Sequence, residues 1–143
     1  MLLSRNEIRA LEDRRTEQVD IPEWGPEAQV LLRQMSGRDR EVYEQWAMAY
    51  SDARALAPGT TPPQHLYARM AVLSCVDAHG EPLFTLDDVE WLSQKSFVAL
   101  KRIFDVAWKL NLLDPAEVEL AAKNSVSEPD SASGSDSLLP SAE

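Results

Sequence analysis

The apolar residues between Ser96 and Leu113 constrain the fold most, because their spacing predicts one long helix with an unusually wide apolar arc. Two apolar stripes run side by side at intervals of three and four residues. The first is Phe97, Leu100, Phe104 and Ala107, and the second is Ile103, Val106, Leu110 and Leu113. Such a helix needs other elements to cover it. We therefore expect a domain packed around this helix, in which truncating a buried Phe104 to alanine costs about 3–5 kcal/mol.

Length and cysteine content indicate one domain without disulfides. A chain of 143 residues is typical of a single domain. The single cysteine, Cys75, has no partner for an internal disulfide, and its apolar surroundings predict a small buried hydrophobe. We find no signal segment and no apolar run long enough to span a membrane. These features predict a cytoplasmic protein that does not enter a membrane.

The charge of the chain disfavours nucleic acid as a partner. The net charge is −10, whereas nucleic-acid affinity depends largely on Lys and Arg that release counterions from phosphates. The basic clusters, Arg14-Arg15 and Arg38 with Arg40, are interleaved with acidic residues. We interpret both clusters as solvated helix faces.

The N-terminal third predicts an arm followed by a β-hairpin. Ser4 and Glu7 have the spacing of a capping box, which predicts a helix or arm within residues 1–15, running from Arg5 to about Arg14. Alternating apolar residues on both sides of a Pro/Gly break predict a hairpin at about 16–35. Its inner face would carry Trp24, Val30 and Leu32, although Trp24 could instead stack on a ligand.

Capping signals divide the rest of the chain into helices. They predict helices from Ser36 to about Ala53, from Pro62 to about Ala78, after Thr85 and over 115–123. On a continuous helix, His65 and His79 lie too far apart to share a metal ion, and His79 would cap the C-terminus as a cation. Asp87, Asp88 and Glu90 complement the macrodipole of the next helix better than they suggest a metal site. Val89 and Leu92 of that helix would face inward.

The predicted fold class is mainly α. It is a small helical domain over 16–124 with a short N-terminal β-hairpin, followed by an acidic, Ser-rich tail over 125–143. The composition of the tail predicts disorder, since so few apolar residues cannot offset the entropy of ordering. Leu138-Leu139-Pro140 is the apolar part of the tail and could act as a short linear binding motif.

Catalytic signatures are missing from the sequence. It has no glycine-rich phosphate loop, no GxSxG, HExxH or CxxC motif and no EF-hand loop. We therefore predict that the protein is not an enzyme and takes no cofactor, metal or small-molecule substrate.

The order of several short motifs resembles the tail assembly chaperones of long-tailed phages. In the first half the motifs are Val19–Gly25 and Met35–Glu44. In the second half they are Cys75-Val76-Asp77, Gly80, Leu83-Phe84, Asp88-Val89, Leu92, Lys95-Ser96, Leu110-Asn111 and Lys123-Asn124-Ser125. The resemblance implies a non-enzymatic helper that coats the tape measure protein, keeps it soluble and recruits tail tube subunits. It also implies a protein of the host bacterial cytoplasm that is absent from the mature virion, with a longer frameshifted form in many members.

A chaperone of this kind needs exposed apolar surface for its client. The candidate partner-binding residues are Trp46, Tyr50, Tyr67, Trp91 and Trp108. The alternative for each is ordinary partial burial. Two other functions stay open on the sequence, a minor virion protein such as a head–tail connector subunit and a small acidic regulatory adaptor. Homo-oligomerisation is compatible with all three.

Overall fold

The computed structural model describes residues 1–52, 58–59 and 63–113. The described elements are α1 (Arg5–Ala10), β1 (Thr16–Asp20), β2 (Gln29–Arg33), α2 (Gly37–Ser51), α3 (Leu66–Ser74), β3 (Cys75–Val76), α4 (Val89–Leu92) and α5 (Phe97–Leu110), with 3-10 turns at Pro22–Trp24 and Leu86–Asp88. The mainly helical class is in agreement with the prediction. The helix predicted over 115–123 and the tail over 125–143 lie outside the described residues.

The small sheet has three strands, where the sequence predicted a hairpin. β1 and β2 form the hairpin with Val19 opposite Val30, and β3 adds to the other edge of β2 with Cys75 opposite Leu32. Leu32 is fully buried, and Trp24 and Val30 pack against the core as predicted. The third strand was missed because Cys75 and Val76 continue the helical spacing of the residues before them.

The predicted helix from Pro62 to Ala78 is therefore shorter at its C-terminal end. α3 ends at Ser74, where the chain becomes extended to pair with β2. His79 does not cap a helix as predicted. It lies in a turn in which the Asp77 carboxylate accepts hydrogen bonds from the N–H groups of His79 and Glu81, at 2.8 and 3.0 Å.

α1 also ends earlier than predicted, at Ala10. The Ser4–Glu7 capping box forms as expected, but no residue of α1 is buried. Beyond it, the Arg15 N–H donates to the side chain of Gln34, and the Gln34 N–H donates to the Arg15 carbonyl. These bonds draw the chain into the sheet, and they leave the N-terminal arm outside the core.

α5 is the element on which the others assemble. It packs against α3, β1, β2 and the Pro22–Trp24 turn. Its core side consists of Ala99, Leu100, Ile103, Ala107 and Leu110, all buried. At its C-terminal end the buried Asn111 accepts a hydrogen bond from the Met35 N–H at 2.6 Å and donates one to the Ala107 carbonyl at 2.9 Å. This side chain joins the end of α5 to the end of β2.

Candidate partner-binding surface

A continuous row of aromatic side chains covers the outer side of α5 and the adjoining surface of α3. We call Tyr67, Phe97, Phe104 and Trp108 the aromatic face. Tyr67 lies 5.2 Å from Phe97 and 4.5 Å from Phe104, and Phe104 lies 5.8 Å from Trp108, measured between ring centroids. Phe97 is 60% exposed and Trp108 37% exposed. The rings therefore support one another while presenting apolar surface to the outside.

Phe97 and Phe104 correct the predicted core. The sequence placed both in the buried stripe with Leu100 and Ala107, but Phe97 is exposed and Phe104 is only partly buried. α3 packs against α5 beside them, and Tyr67 of α3 contacts both rings. The apolar arc of α5 is thus wider than the surface that covers it. The expected loss of 3–5 kcal/mol for Phe104→Ala assumed full burial, and partial burial favours a smaller loss.

Tyr50 adjoins the aromatic face. It is 60% exposed and lines a cleft of about 300 Å³ with Tyr67 and Phe97. Three of the five candidate residues, Tyr50, Tyr67 and Trp108, are therefore on one connected surface. The sequence singled out these three but not Phe97, because its periodicity assigned Phe97 to the core.

Trp91 belongs to a second apolar surface. It is 48% exposed, and its ring meets that of Phe84 edge to face at 6.0 Å. Its indole N–H donates to Asp88 at 2.8 Å. Trp91 lines a groove with Trp24, Phe84, Leu92 and Lys95, which we call the tryptophan groove. Lys95 also lines the cleft beside Tyr50, so the two apolar surfaces meet at this residue.

Trp46 is not on either surface. It is partly buried, and the guanidinium of Arg69 lies 4.8 Å from the centroid of its ring. Such a cation–π contact uses one face of the ring within the fold. Trp46 is therefore less available to a partner than Tyr50 or Trp108.

Of the acidic residues near α4, Asp88 caps the 3-10 turn Leu86–Asp88 that precedes this helix. Thr85 and Asp88 form a capping box, and Asp88 accepts from the Thr85 N–H at 2.8 Å. These hydrogen bonds, with that from Trp91, hold the pKa of Asp88 below its usual value. Across the described ranges, no group of three or more His, Cys, Asp or Glu side chains could hold a metal ion.

Cys75 is a buried hydrophobe, as predicted. It is fully buried, and burial raises the pKa of its thiol to about 12. Because the thiolate is the reactive form, this raised pKa disfavours reaction at Cys75.

A concavity of about 600 Å³ lies between the N-terminal arm and the start of α2. It combines Arg14 and Arg40 with Glu12 and Asp13. Arg40 already bonds to Glu44 and to the Asn111 carbonyl, so this polar cleft is engaged in holding the fold. None of the helices among the described residues is long and apolar enough to cross a membrane.

Comparison with known proteins gives a structural relative. No protein-family model and no curated protein sequence matches the chain. The fold is similar to the solved structure of the bacteriophage HK97 tail assembly chaperone, with a TM-score of 0.50 and 18% sequence identity. The similarity covers 73% of this chain and 90% of that chain. At this identity the likeness concerns the fold alone.

Proposed function

We propose that the protein is a tail assembly chaperone of a long-tailed phage. It would bind the tape measure protein, keep it soluble and recruit tail tube subunits in the host cytoplasm, without remaining in the mature virion. The observation that carries this proposal is the fold shared with the HK97 tail assembly chaperone. The order of motifs along the sequence supports the same function.

The aromatic face is the surface we propose for the client. From Phe97 to Trp108 it follows α5 for about 16 Å, or three helical turns. An amphipathic client helix can lay its apolar stripe along a surface of this length. Tyr50, Tyr67 and Trp108 are then client contacts together with Phe97. Trp46 and Trp91 stay proposed partner contacts elsewhere on the surface.

The excess of negative charge suits this function. A complex with a long apolar client must itself remain soluble, and net charge far from zero opposes association between complexes. The chain supplies a net charge of −10. The client is then shielded by the aromatic face while the rest of the surface repels other copies.

Co-expression with a tape measure protein, the proposed client, tests the proposal. We expect the client to be soluble with the wild-type chain and insoluble with the Phe97→Asp/Trp108→Asp variant. The matched control is Ile8→Asp/Leu11→Asp, which places the same two charges on exposed apolar residues of the N-terminal arm. It should rescue the client as well as the wild type does.

Circular dichroism and thermal unfolding establish that the variants fold. A client that stays insoluble with the wild-type chain would contradict the proposal. So would recovery of this protein from purified virions, which would favour the connector alternative.

A further inference from the structure

β1 forms one edge of the small sheet, with β2 on one side of it. Two backbone hydrogen bonds show which of its residues bond to β2. The Gln34 N–H donates to the Arg15 carbonyl at one end of the strand, and the Ile21 N–H donates to the Ala28 carbonyl at the other. Hydrogen-bonded and non-hydrogen-bonded pairs alternate along an antiparallel ladder. Every second residue from Arg15 to Ile21 therefore bonds to β2, and the residues between them do not.

Three residues of β1, Thr16, Gln18 and Asp20, thus direct their backbone N–H and C=O groups away from the sheet. Within the described ranges, no other group forms a hydrogen bond with these backbone atoms. All three residues are exposed, and Glu17 on the opposite face of the strand is exposed as well. Such an unpaired edge is a template for pairing with a further strand.

The edge lacks several of the features that commonly protect an edge strand from pairing. The strand contains no proline and no lysine, and its register with β2 runs from Thr16 to Asp20 without a bulge. Its five residues are a typical length for a strand in a sheet. The edge is therefore suited to the addition of another strand.

We propose that β1 of a second copy of this chain pairs antiparallel with this edge, with Gln18 on the two-fold axis. Thr16 of each copy is then opposite Asp20 of the other, and the two Gln18 residues are opposite one another. These three pairs exchange two hydrogen bonds each. The same surface patch is used on both copies, as a two-fold interface requires. The two small sheets become one continuous sheet.

The residues of β1 select this register over its neighbours. In it Glu17 is opposite Val19 of the second copy, and no acid is directly opposite another acid. A shift of one step in one direction places the two Glu17 residues opposite one another, and like charges in that position are destabilising. A shift in the other direction places Thr16 opposite Pro22, which has no N–H to donate.

The charges along the edge permit this pairing although the whole chain is strongly negative. The net charge of −10 opposes association of copies in general. Within residues 14–20, however, Arg14 and Arg15 balance Glu17 and Asp20. The two Glu17 side chains of the dimer are diagonal neighbours, and Arg15 lies on the same face of each strand. The repulsion between them is thus partly offset.

Most of the acids just beyond the paired residues have partners of their own. Glu12 lies 4.0 Å from Arg14, and Glu23 pairs with Arg102 at 2.7 Å. Asp13 is separated from the strand by the two arginines. The flanks of the edge therefore add little repulsion to the paired strands.

Two lysine variants that change the net charge equally test the register by sedimentation equilibrium. In Gln18→Lys the new lysines are opposite one another, so the dissociation constant of the dimer should rise about fivefold. In Thr16→Lys each lysine is opposite Asp20 of the second copy, so the constant should fall about fivefold. Thr16→Lys also places its lysine beside Arg33 of β2, so thermal unfolding checks that both variants fold.

Shifts of the two variants in the same direction would overturn the proposal, because they would report the net charge and not the register. A wild-type chain that stays monomeric up to about 1 mM would also overturn it, and would leave the edge to a different chain.

Amide hydrogen exchange of the wild-type chain locates the contact. The amides of Thr16, Gln18 and Asp20 should exchange slowly at high protein concentration and rapidly after dilution. Those of Glu17 and Val19 bond to β2 and should exchange slowly at both concentrations. A dimer in which the three outward amides exchange as fast as in the monomer would contradict the proposed interface. The experiments use this chain without a client, so their outcome is independent of the proposed function.

Discussion

The two sides of α5 are both apolar, yet they differ in what covers them. On one side Ile103 and Ala107 have no exposed surface, because the sheet and α3 pack over them. On the other side Phe97 and Trp108 remain exposed beside Phe104 and Tyr67. Apolar residues of one helix are thus buried on one side and exposed on the other.

The periodicity of apolar residues predicts that a helix surface needs cover, but it does not predict which element covers it. A domain of this size has limited material for its core. The small aliphatic side of α5 permits close approach of neighbouring elements, whereas on the aromatic side Phe97 and Trp108 keep exposed surface although they contact Tyr67 and Phe104. Within the residues that the structure describes, this side of α5 therefore keeps exposed apolar surface.

Truncating one residue on each side of α5 should give the largest difference in stability. Ile103→Ala should lower the free energy of unfolding by about 2–5 kcal/mol, because it leaves a cavity in a fully buried site. Phe104→Ala should lower it by only about 1–2 kcal/mol, since its ring is partly exposed and loses mainly aromatic contacts. Urea denaturation measures both. Equal losses would mean that the two sides are covered alike.

The next largest loss of stability is expected at Asn111, which joins the end of α5 to the end of β2. Asn111→Ala leaves the buried Met35 N–H without its acceptor and should lower the free energy of unfolding by about 1–3 kcal/mol. Gln45→Ala, on an exposed position of α2, is the control and should change it by less than about 0.5 kcal/mol. If Asn111→Ala is as mild as the control, the core side does not depend on this link to β2.

At the C-terminal end of α5 we expect a smaller effect, in which one variant is more stable than another. The Leu112 and Leu113 N–H groups donate to the Lys109 and Trp108 carbonyls in a Schellman motif, with Leu112 at φ 51°. Glycine adopts this conformation without the strain of a Cβ. Leu112→Gly should therefore be more stable than Leu112→Ala by about 1 kcal/mol in thermal unfolding. Equal stabilities would show that this end of the helix carries no strain.

The smallest effect concerns the polar edge between the two sides. The Arg102 guanidinium holds the pKa of Glu23 below its ordinary value of 4.5. A lowered folded-state pKa stabilises the fold above pH 4.5, and this contribution is lost as the pH falls through the folded-state value. Glu23→Gln should therefore be less stable than the wild type at pH 7, and the difference should shrink at pH 3. A difference that is constant with pH in urea denaturation would contradict this expectation.

Local signals in the sequence predicted local structure well. Ser4, Ser36 and Thr85 accept hydrogen bonds at helix starts, as their spacings to later residues indicated. Burial of Cys75 also followed from its apolar neighbours. These features depend on residues a few positions apart, so a single sequence contains the relevant information.

Contacts between residues that lie far apart in the sequence could not be predicted in this way. Cys75-Val76 leaves the helical pattern because β2, more than forty residues earlier, offers an unpaired edge. The residues from Gly80 to Thr85 therefore come after a strand, whereas the sequence predicted that they come after the end of a helix. The candidate surface divides in the same way. The sequence identified its aromatic residues, but it could not tell that Tyr50, Tyr67 and Trp108 adjoin or that Arg69 covers Trp46.

Propensity, capping and periodicity act between near neighbours, so the sequence was enough to predict the mainly helical class, the hairpin, the helix caps and the wide apolar arc of α5. The side of that arc that is buried and the position of the third strand became known from the tertiary structure. Both depend on competition between distant segments for a limited amount of apolar cover, and that competition is settled when the whole chain packs.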